Sequence, residues 1–245
     1  MYARARRRAT VTDTDWDERF ASGEYPRAPE PSPVLRAYEP SLPGGRALDV
    51  AAGTGRNAVF LADRGYDVDA LDASAEGLRI VRERAAERGI DDRIETIQGD
   101  VSTYGFPTEA YDVVTMSYFH TLDRFADLVE SLAPGGYLFA EGHLRSAEPS
   151  PSGPSDDRYR FAAYELLRAG LGLSVRYYDE TTTERPGDRR RATARLLARK
   201  SSGGRQSYPE RPDAPDRWPG EESGSQAADD SAATGESAAA SERDA

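Results

Sequence analysis

Short apolar runs alternate with amphipathic ones along most of the chain. Arg46–Val50 reads as an apolar strand running into a glycine-bearing stretch. Residues 57–64 repeat apolar positions at helical spacing and stop at Gly65, a residue suited to the position after a helix. Residues 66–71 alternate towards Asp72, after which Ser74 has the chemistry of an N-cap for a helical run that reaches Arg88 and stops at Gly89. Ile94–Gln98 and residues 111–116 read as the third and fourth strands. Residues 124–132 read as a helix ended by Pro134-Gly135-Gly136, and 137–141 as a fifth strand. The pattern further predicts a helix over 158–168 and two closing strands over 173–179 and 192–198. Alternation of this kind implies an α/β fold, a mostly parallel sheet with helices on both faces. The connections 98–107 and 145–157 are longer than usual, which favours functional loops.

The ends read differently. Residues 1–15 read as a flexible leader and 16–200 as one folded domain. From Ser201 the composition shifts to Ser, Gly, Ala, Pro and acids, with almost nothing to bury, so 201–245 reads as a disordered acidic tail. The formal charge is −11, and the tail holds ten acids against four arginines, so the remainder is only mildly acidic. That charge and the lack of a basic-aromatic platform argue against a nucleic-acid partner. No cysteine is present and His120 and His143 are the only histidines, so no metal site is expected. No apolar run approaches the ~20 residues needed to span a bilayer. The N-terminal arginines lead into polar residues rather than an apolar stretch. The expected location is therefore cytoplasmic, with no membrane partner. A monomer or a homodimer is expected.

The sharpest chemistry lies in Leu48-Asp49-Val50-Ala51-Ala52-Gly53-Thr54-Gly55-Arg56-Asn57-Ala58. Glycines at 53 and 55 let the backbone turn tightly and approach a ligand, and the following helix points its N-terminal amides at that ligand. Asp72 closes the second strand nineteen positions after Gly53, where a carboxylate can accept both ribose hydroxyls of a nucleoside. Dinucleotide enzymes and methyltransferases share this arrangement, so an adenosine cofactor follows but not which one. Three features separate them: the acid Asp49 inside the first strand, Gln98-Gly99-Asp100-Val101 after the third, and Ala110-Tyr111-Asp112-Val113-Val114 followed by Leu132-Ala133-Pro134-Gly135-Gly136-Tyr137-Leu138.

In that order and spacing the motifs resemble class I S-adenosylmethionine-dependent methyltransferases, over about residues 15–199. The resemblance implies a Rossmann-like seven-stranded sheet with an antiparallel last strand, and S-adenosyl-L-methionine as cofactor. It implies that Gly53 and Gly55 line the methionine side, Asp72 holds the ribose, Asp100 and Val101 hold the adenine, and Ser117 faces the sulfonium. Asp49, Ala51 and Ala73 are counted with the cofactor-binding residues. A narrower resemblance, carried by Trp16-Asp17-Glu18-Arg19-Phe20, Gly55-Arg56-Asn57-Ala58-Val59-Phe60-Leu61-Ala62 and Glu141-Gly142-His143, is to the tellurite-resistance (TehB-like) methyltransferase group. It implies that the N-terminal segment packs over the cofactor and that Arg19 pairs with the cofactor carboxylate. The group's glycine and histidine before the last strand are replaced here by Pro186-Gly187-Asp188-Arg189-Arg190-Arg191, so that histidine's role does not carry over.

The expected activity is methyl transfer to a small-molecule or small oxyanion acceptor. His120 and His143, just past strands four and five, are the candidate catalytic bases, needed only where the acceptor must lose a proton. Tyr118 and Phe119 and the loop from Gly142 stand beside them as acceptor-pocket candidates, with Arg19 or Arg145 as the cation for an anionic acceptor. Two other readings use the same motifs: a protein that binds S-adenosylmethionine without turning it over, and an NAD-binding oxidoreductase. Asp49 and the Pro134-Gly135-Gly136 turn count against the second.

Overall fold

A computed structural model describes residues 13–23, 25–145, 153–154, 156–185 and 189–203. The chain divides into two units, 1–213 and 214–245, and every described residue belongs to the first. Residues 1–12 of the expected leader and 204–245 of the expected tail lie outside the described residues, as does most of the 145–157 loop.

The strands are β1 (Arg46–Val50), β2 (Asp67–Asp72), β3 (Ile94–Gln98), β4 (Tyr111–Ser117), β5 (Leu132–His143), β6 (Ser174–Arg185) and β7 (Arg189–Arg199). They form one seven-stranded sheet in the order β3-β2-β1-β4-β5-β7-β6. The first five run parallel, and β7 is antiparallel to both β5 and β6. The helices are α1 (Asp13–Ala21), α2 (Pro33–Tyr38), α3 (Ala58–Ala62), α4 (Ala75–Arg88), α5 (Phe125–Ser131) and α6 (Glu165–Ala169). No helix among the described residues is long and apolar enough to cross a membrane.

Period-two alternation divides the strand residues between two cores. Leu48 and Val50 of β1, with Val114 and Met116 of β4, join one cluster. Ala47 and Val113 join the other, with Ala70 and Phe139. Both faces are covered, as a parallel sheet requires. Asp49 falls on the face of Ala47 and sits opposite Thr115 in the β1–β4 register. Ser74 caps α4 by accepting from the Gly77 N–H at 3.0 Å, and Gly89 ends it in the left-handed conformation at φ 66°.

From β1 to β4 the expected elements and the observed ones agree closely; α2 was not expected, and β5 starts at Leu132, so that Pro134-Gly135-Gly136, expected as a turn, lies within the strand. Expectation and structure also part over 158–168, where the pattern predicts one helix. Only Asp157–Tyr159 forms a 3-10 turn and only Glu165–Ala169 an α-helix. Between them Phe161 bridges to Leu144 and packs on Gly142, where an added Cβ would come within 2.5 Å of its ring. Burial of that ring against the end of β5 outweighs the local helical spacing. The β6–β7 hairpin is also longer than the apolar pattern, because its far end pairs through polar residues such as Thr183 and Arg191. Helix α1 begins at Asp13, inside the expected leader.

Candidate active site at the carboxyl end of the sheet

Strand order reverses between β1 and β4, since β1 leads to β2 on one side and pairs with β4 on the other. Open α/β sheets bind ligands in the crevice outside the carboxyl ends at such a point. The glycine loop leaves β1 there. Ala51, Gly53 and Gly55 all have positive φ, of 54°, 54° and 80°. At Gly53 and Gly55 the missing Cβ matters sterically as well as conformationally. A Cβ on Gly55 would lie 3.0 Å from Val81 of α4, and one on Gly53 3.3 Å from Phe20 of α1. The loop is thus pressed between two helices. Gly77 of α4 is equally constrained, because a Cβ there would lie 2.8 Å from the Gly53 carbonyl oxygen. Gly77→Ala is expected to push α4 off the loop and weaken nucleoside binding about tenfold, roughly 1.4 kcal/mol, as calorimetry with S-adenosylhomocysteine would measure.

Three carboxylates fix this corner. Asp49 is buried, and its Oδ2 accepts from the Ala58 N–H at 2.9 Å while Oδ1 accepts from the Thr115 hydroxyl at 2.7 Å. Burial pushes its pKa up to about 6, against the lowering effect of those hydrogen bonds. Asp49 therefore anchors the first turn of α3 and, through it, the far end of the glycine loop. Asp72 accepts from the Gly53 N–H at 2.7 Å through one oxygen and from the Ser74 N–H at 2.8 Å through the other. Burial raises its pKa as well. Asp17 of α1 accepts from the Ser74 hydroxyl and, at 3.0 Å, from the Glu76 N–H, so α1 is pinned on the first turn of α4. Arg84 closes the loop from the other side: buried on α4, it donates to the carbonyls of Thr54 and of Gly55, the latter at 3.0 Å.

The remaining expected residues are spread around this corner. Val101 is buried in the core beneath the loop after β3. Asp100 is exposed and accepts from the Ser102 N–H at 2.8 Å. Ser117 accepts from the Asn57 amide at 2.9 Å and donates to Glu141 at 3.2 Å. Arg19 lies 4.7 Å from the Trp16 ring and 4.9 Å from the Tyr25 ring, and donates to the Tyr25 hydroxyl at 2.6 Å. Its guanidinium is thus engaged within the N-terminal segment.

Glu141, near the end of β5, is a buried hub of hydrogen bonds, and the sequence showed it only within the Glu141-Gly142-His143 motif, without a role. It is 1% exposed. It accepts from Arg56 at 2.5 Å and from the Ser32 hydroxyl at 3.0 Å, and lies 3.4 Å from the Arg195 Nε. One carboxylate therefore joins the glycine loop, the residue before α2, β4 and β7. Tyr118 follows with φ 58°, its N–H donating to the Glu141 carbonyl at 2.8 Å. His143 packs on Tyr118 with ring centres 4.9 Å apart. Burial, then the charges of Arg191 and Arg160, lower its pKa to about 4, so it is neutral at neutral pH. His120 packs on Phe161 at 4.6 Å, with its Nε2 3.6 Å from a Glu165 oxygen. Phe161 meets both residues, its ring against His120 and its N–H donating to the His143 carbonyl at 2.8 Å. Among the described residues no cluster of three or more histidines and acids could hold a metal ion.

The seven-stranded sheet and its glycine loop resemble those of class I, S-adenosylmethionine-dependent methyltransferases. Residues 47–136 match the family model described as a methyltransferase domain. The chain is 35% identical over 103 residues to the demethylmenaquinone methyltransferase of Renibacterium salmoninarum, an alignment covering 40% of this chain and 41% of that protein. It therefore spans less than half the length of that relative. Among solved structures, TehB from Haemophilus influenzae superposes with a TM-score of 0.58 at 22% identity, over 69% of this chain and 61% of that one. Geranyl diphosphate C-methyltransferase from Streptomyces coelicolor A3(2) superposes with a TM-score of 0.57 at 15% identity, over 79% and 100%. At these identities the likeness shows the fold.

Proposed function

We propose that this chain transfers a methyl group from S-adenosylmethionine to a small-molecule acceptor. The observation that carries the reading is the placement of Asp72 at the switch point. Its two oxygens accept from the backbone N–H groups of Gly53 and Ser74, with a further backbone hydrogen bond from Ala73, and the four lone-pair sites of a carboxylate are not all taken up by these. That unused capacity fits two ribose hydroxyls beside a loop whose glycines admit the methionine end. The residues that would hold the cofactor are Gly53, Gly55, Asp72 and Ala73, with Asp100, Val101 and Ser117 on the neighbouring strand ends. When bound, the cofactor supplies a methyl group already activated on a sulfonium. The chain's own part is to orient the acceptor and keep water out. Helix α1 excludes water from the loop, with Phe20 over Gly53 and Asp17 holding the helix down. Tyr118, His120 and His143 line the acceptor side, and neutral His143 can accept a proton where the acceptor must lose one. The small-molecule assignment is supported by similar proteins whose names carry small acceptors, demethylmenaquinone and geranyl diphosphate.

Calorimetry tests the reading. S-adenosylmethionine and S-adenosylhomocysteine are expected to bind and NAD not to. Asp72→Ala is expected to cost roughly 1–3 kcal/mol of that affinity, the value of hydrogen bonds to a charged group. Tight NAD binding, or an Asp72→Ala variant that binds the nucleoside as well as the parent, would overturn it. Formation of S-adenosylhomocysteine on addition of acceptor separates an enzyme from a protein that only binds the cofactor.

A further inference from the structure

Among the described residues, the Arg191 guanidinium at the carboxyl end of the sheet has no acid paired with it. Arg191 sits on β7 opposite Thr183 of β6. Its guanidinium carbon lies 5.2 Å from the Tyr118 ring centre, and NH1 donates to the Tyr118 hydroxyl at 3.4 Å. Among the described residues no carboxylate pairs with it, and its Nε is buried without a hydrogen-bond partner. The neighbouring arginines are committed. Arg56 pairs with Glu141, Arg195 with Glu141 and Asp179, and Arg160 donates to the carbonyls of Leu144 and Pro154. A second unmet group stands beside Arg191: His143 packs on the same Tyr118 ring and leaves its Nδ1 buried with no partner. The site also joins the cofactor corner, because Arg56 of the glycine loop lies 5.1 Å from that ring. In a chain of net charge −11 this is a local excess of positive charge facing the reaction side of the sheet.

We propose that Arg191 anchors a carboxylate on the methyl acceptor, whose carbon skeleton then lies against Tyr118 and His143. The proposal rests on the methyltransferase reading above and names the acceptor class: a small organic monoacid. A single uncompensated guanidinium matches a single negative charge, and its planar fork fits a carboxylate with two parallel hydrogen bonds. A phosphate dianion calls for a second cation, and Arg56, over the same Tyr118 ring, already answers to Glu141. With Arg56 and Arg191 over the Tyr118 ring, the edges of Tyr118 and His143 beside Arg191 suit an unsaturated or aromatic skeleton better than a bare inorganic ion. The sequence reading put the anion on Arg19 or Arg145. Arg19 is instead engaged with Trp16 and Tyr25, and Arg145 donates to the Asp157 carbonyl.

The test uses the full chain, with and without S-adenosylhomocysteine. Acetate, benzoate and cinnamate are titrated by calorimetry against methyl cinnamate and inorganic phosphate, in the parent and in Arg191→Gln, with Arg191→Lys as the conservative variant. Benzoate or cinnamate is expected to bind the parent, the ester not, and Arg191→Gln to weaken the acid about tenfold or more, as for the loss of a charged bidentate pair. The lysine variant should recover part of that loss, and S-adenosylhomocysteine affinity and melting temperature should stay unchanged in both. A labelled-methyl screen should then favour acids over their neutral esters. Acid binding that ignores Arg191→Gln, ester binding as strong as acid, phosphate bound in preference, or no acid bound at all would each overturn the proposal. If acids bind through Arg191 but S-adenosylhomocysteine does not bind, the methyltransferase reading fails while the anion site stands. If S-adenosylhomocysteine binds and no acid does, only the Arg191 assignment fails.

Discussion

Glu141→Ala is expected to cost the fold about 3–5 kcal/mol, the range for removing one partner of a buried ion pair. The carboxylate is 1% exposed and answers two guanidiniums at once, Arg56 at 2.5 Å and Arg195 at 3.4 Å. Without it Arg56 keeps the Glu30 carbonyl and the Tyr118 ring but no acid, while Arg195 retains Asp179. The penalty therefore comes mainly from leaving positive charge half-buried at the end of β5 rather than from the worth of the pair itself. Two comparisons isolate that cause. Glu141→Gln keeps an acceptor for Ser32 or Ser117 and should lose less, and removing both charges with Arg56→Leu/Glu141→Leu should recover much of the loss. Urea unfolding of the four proteins measures this. A double variant as unstable as Glu141→Ala would show that shape or the Ser32 contact, not uncompensated charge, sets the cost.

How much of this was legible beforehand depended on how local its cause was. The glycine loop, the Ser74 cap and the Gly89 stop are decided by a few consecutive residues, and each stands where the pattern put it. Asp72 was legible through its spacing from the loop, and the structure brings its carboxylate to the Gly53 N–H. Glu141 was quoted only as part of a family motif, because its partners Ser32, Arg56 and Arg195 come from distant parts of the chain and only the folded sheet assembles them. Arg84 was hidden in an arginine- and glutamate-rich helix that reads as solvated, yet it is 5% exposed and holds two loop carbonyls. Asp17 sat inside a quoted motif without a role, since nothing in its neighbours announces that it will cap α4. The misjudged helix over 158–168 has the same origin: Phe161 fits a helical stripe by spacing, but its burial is set by Gly142, which leaves room for the ring.

The stability of the chain is expected to fall as pH rises through the acid range, by about 3 kcal/mol on account of Asp49 alone, since a shift of one unit corresponds to about 1.4 kcal/mol. Burial lifts this carboxyl from its ordinary 3.8 to about 6 in the folded state. Between those values the folded chain still holds the proton that the unfolded chain has released. The native state then binds more protons than the unfolded one, so raising the pH favours unfolding across that window. Below about pH 4 both states are protonated and no penalty applies; above about pH 6 it is complete. Asp49→Asn removes the titration and leaves Asp72, whose pKa is raised in the same direction, in both proteins. Urea unfolding from about pH 4 to about pH 7 should therefore show the parent losing about 3 kcal/mol relative to Asp49→Asn. A difference between the two proteins that stays flat over that range would mean Asp49 ionises as easily in the fold as out of it. The ionised form is nevertheless the useful one, because both its oxygens accept, one from the Ala58 N–H that opens α3 and one from Thr115 on β4. An asparagine has only one acceptor oxygen to divide between them. Asp49→Asn should accordingly bind S-adenosylhomocysteine more weakly at neutral pH even where it unfolds less readily, which places the cost of burying this charge on the side of a held glycine loop rather than of stability.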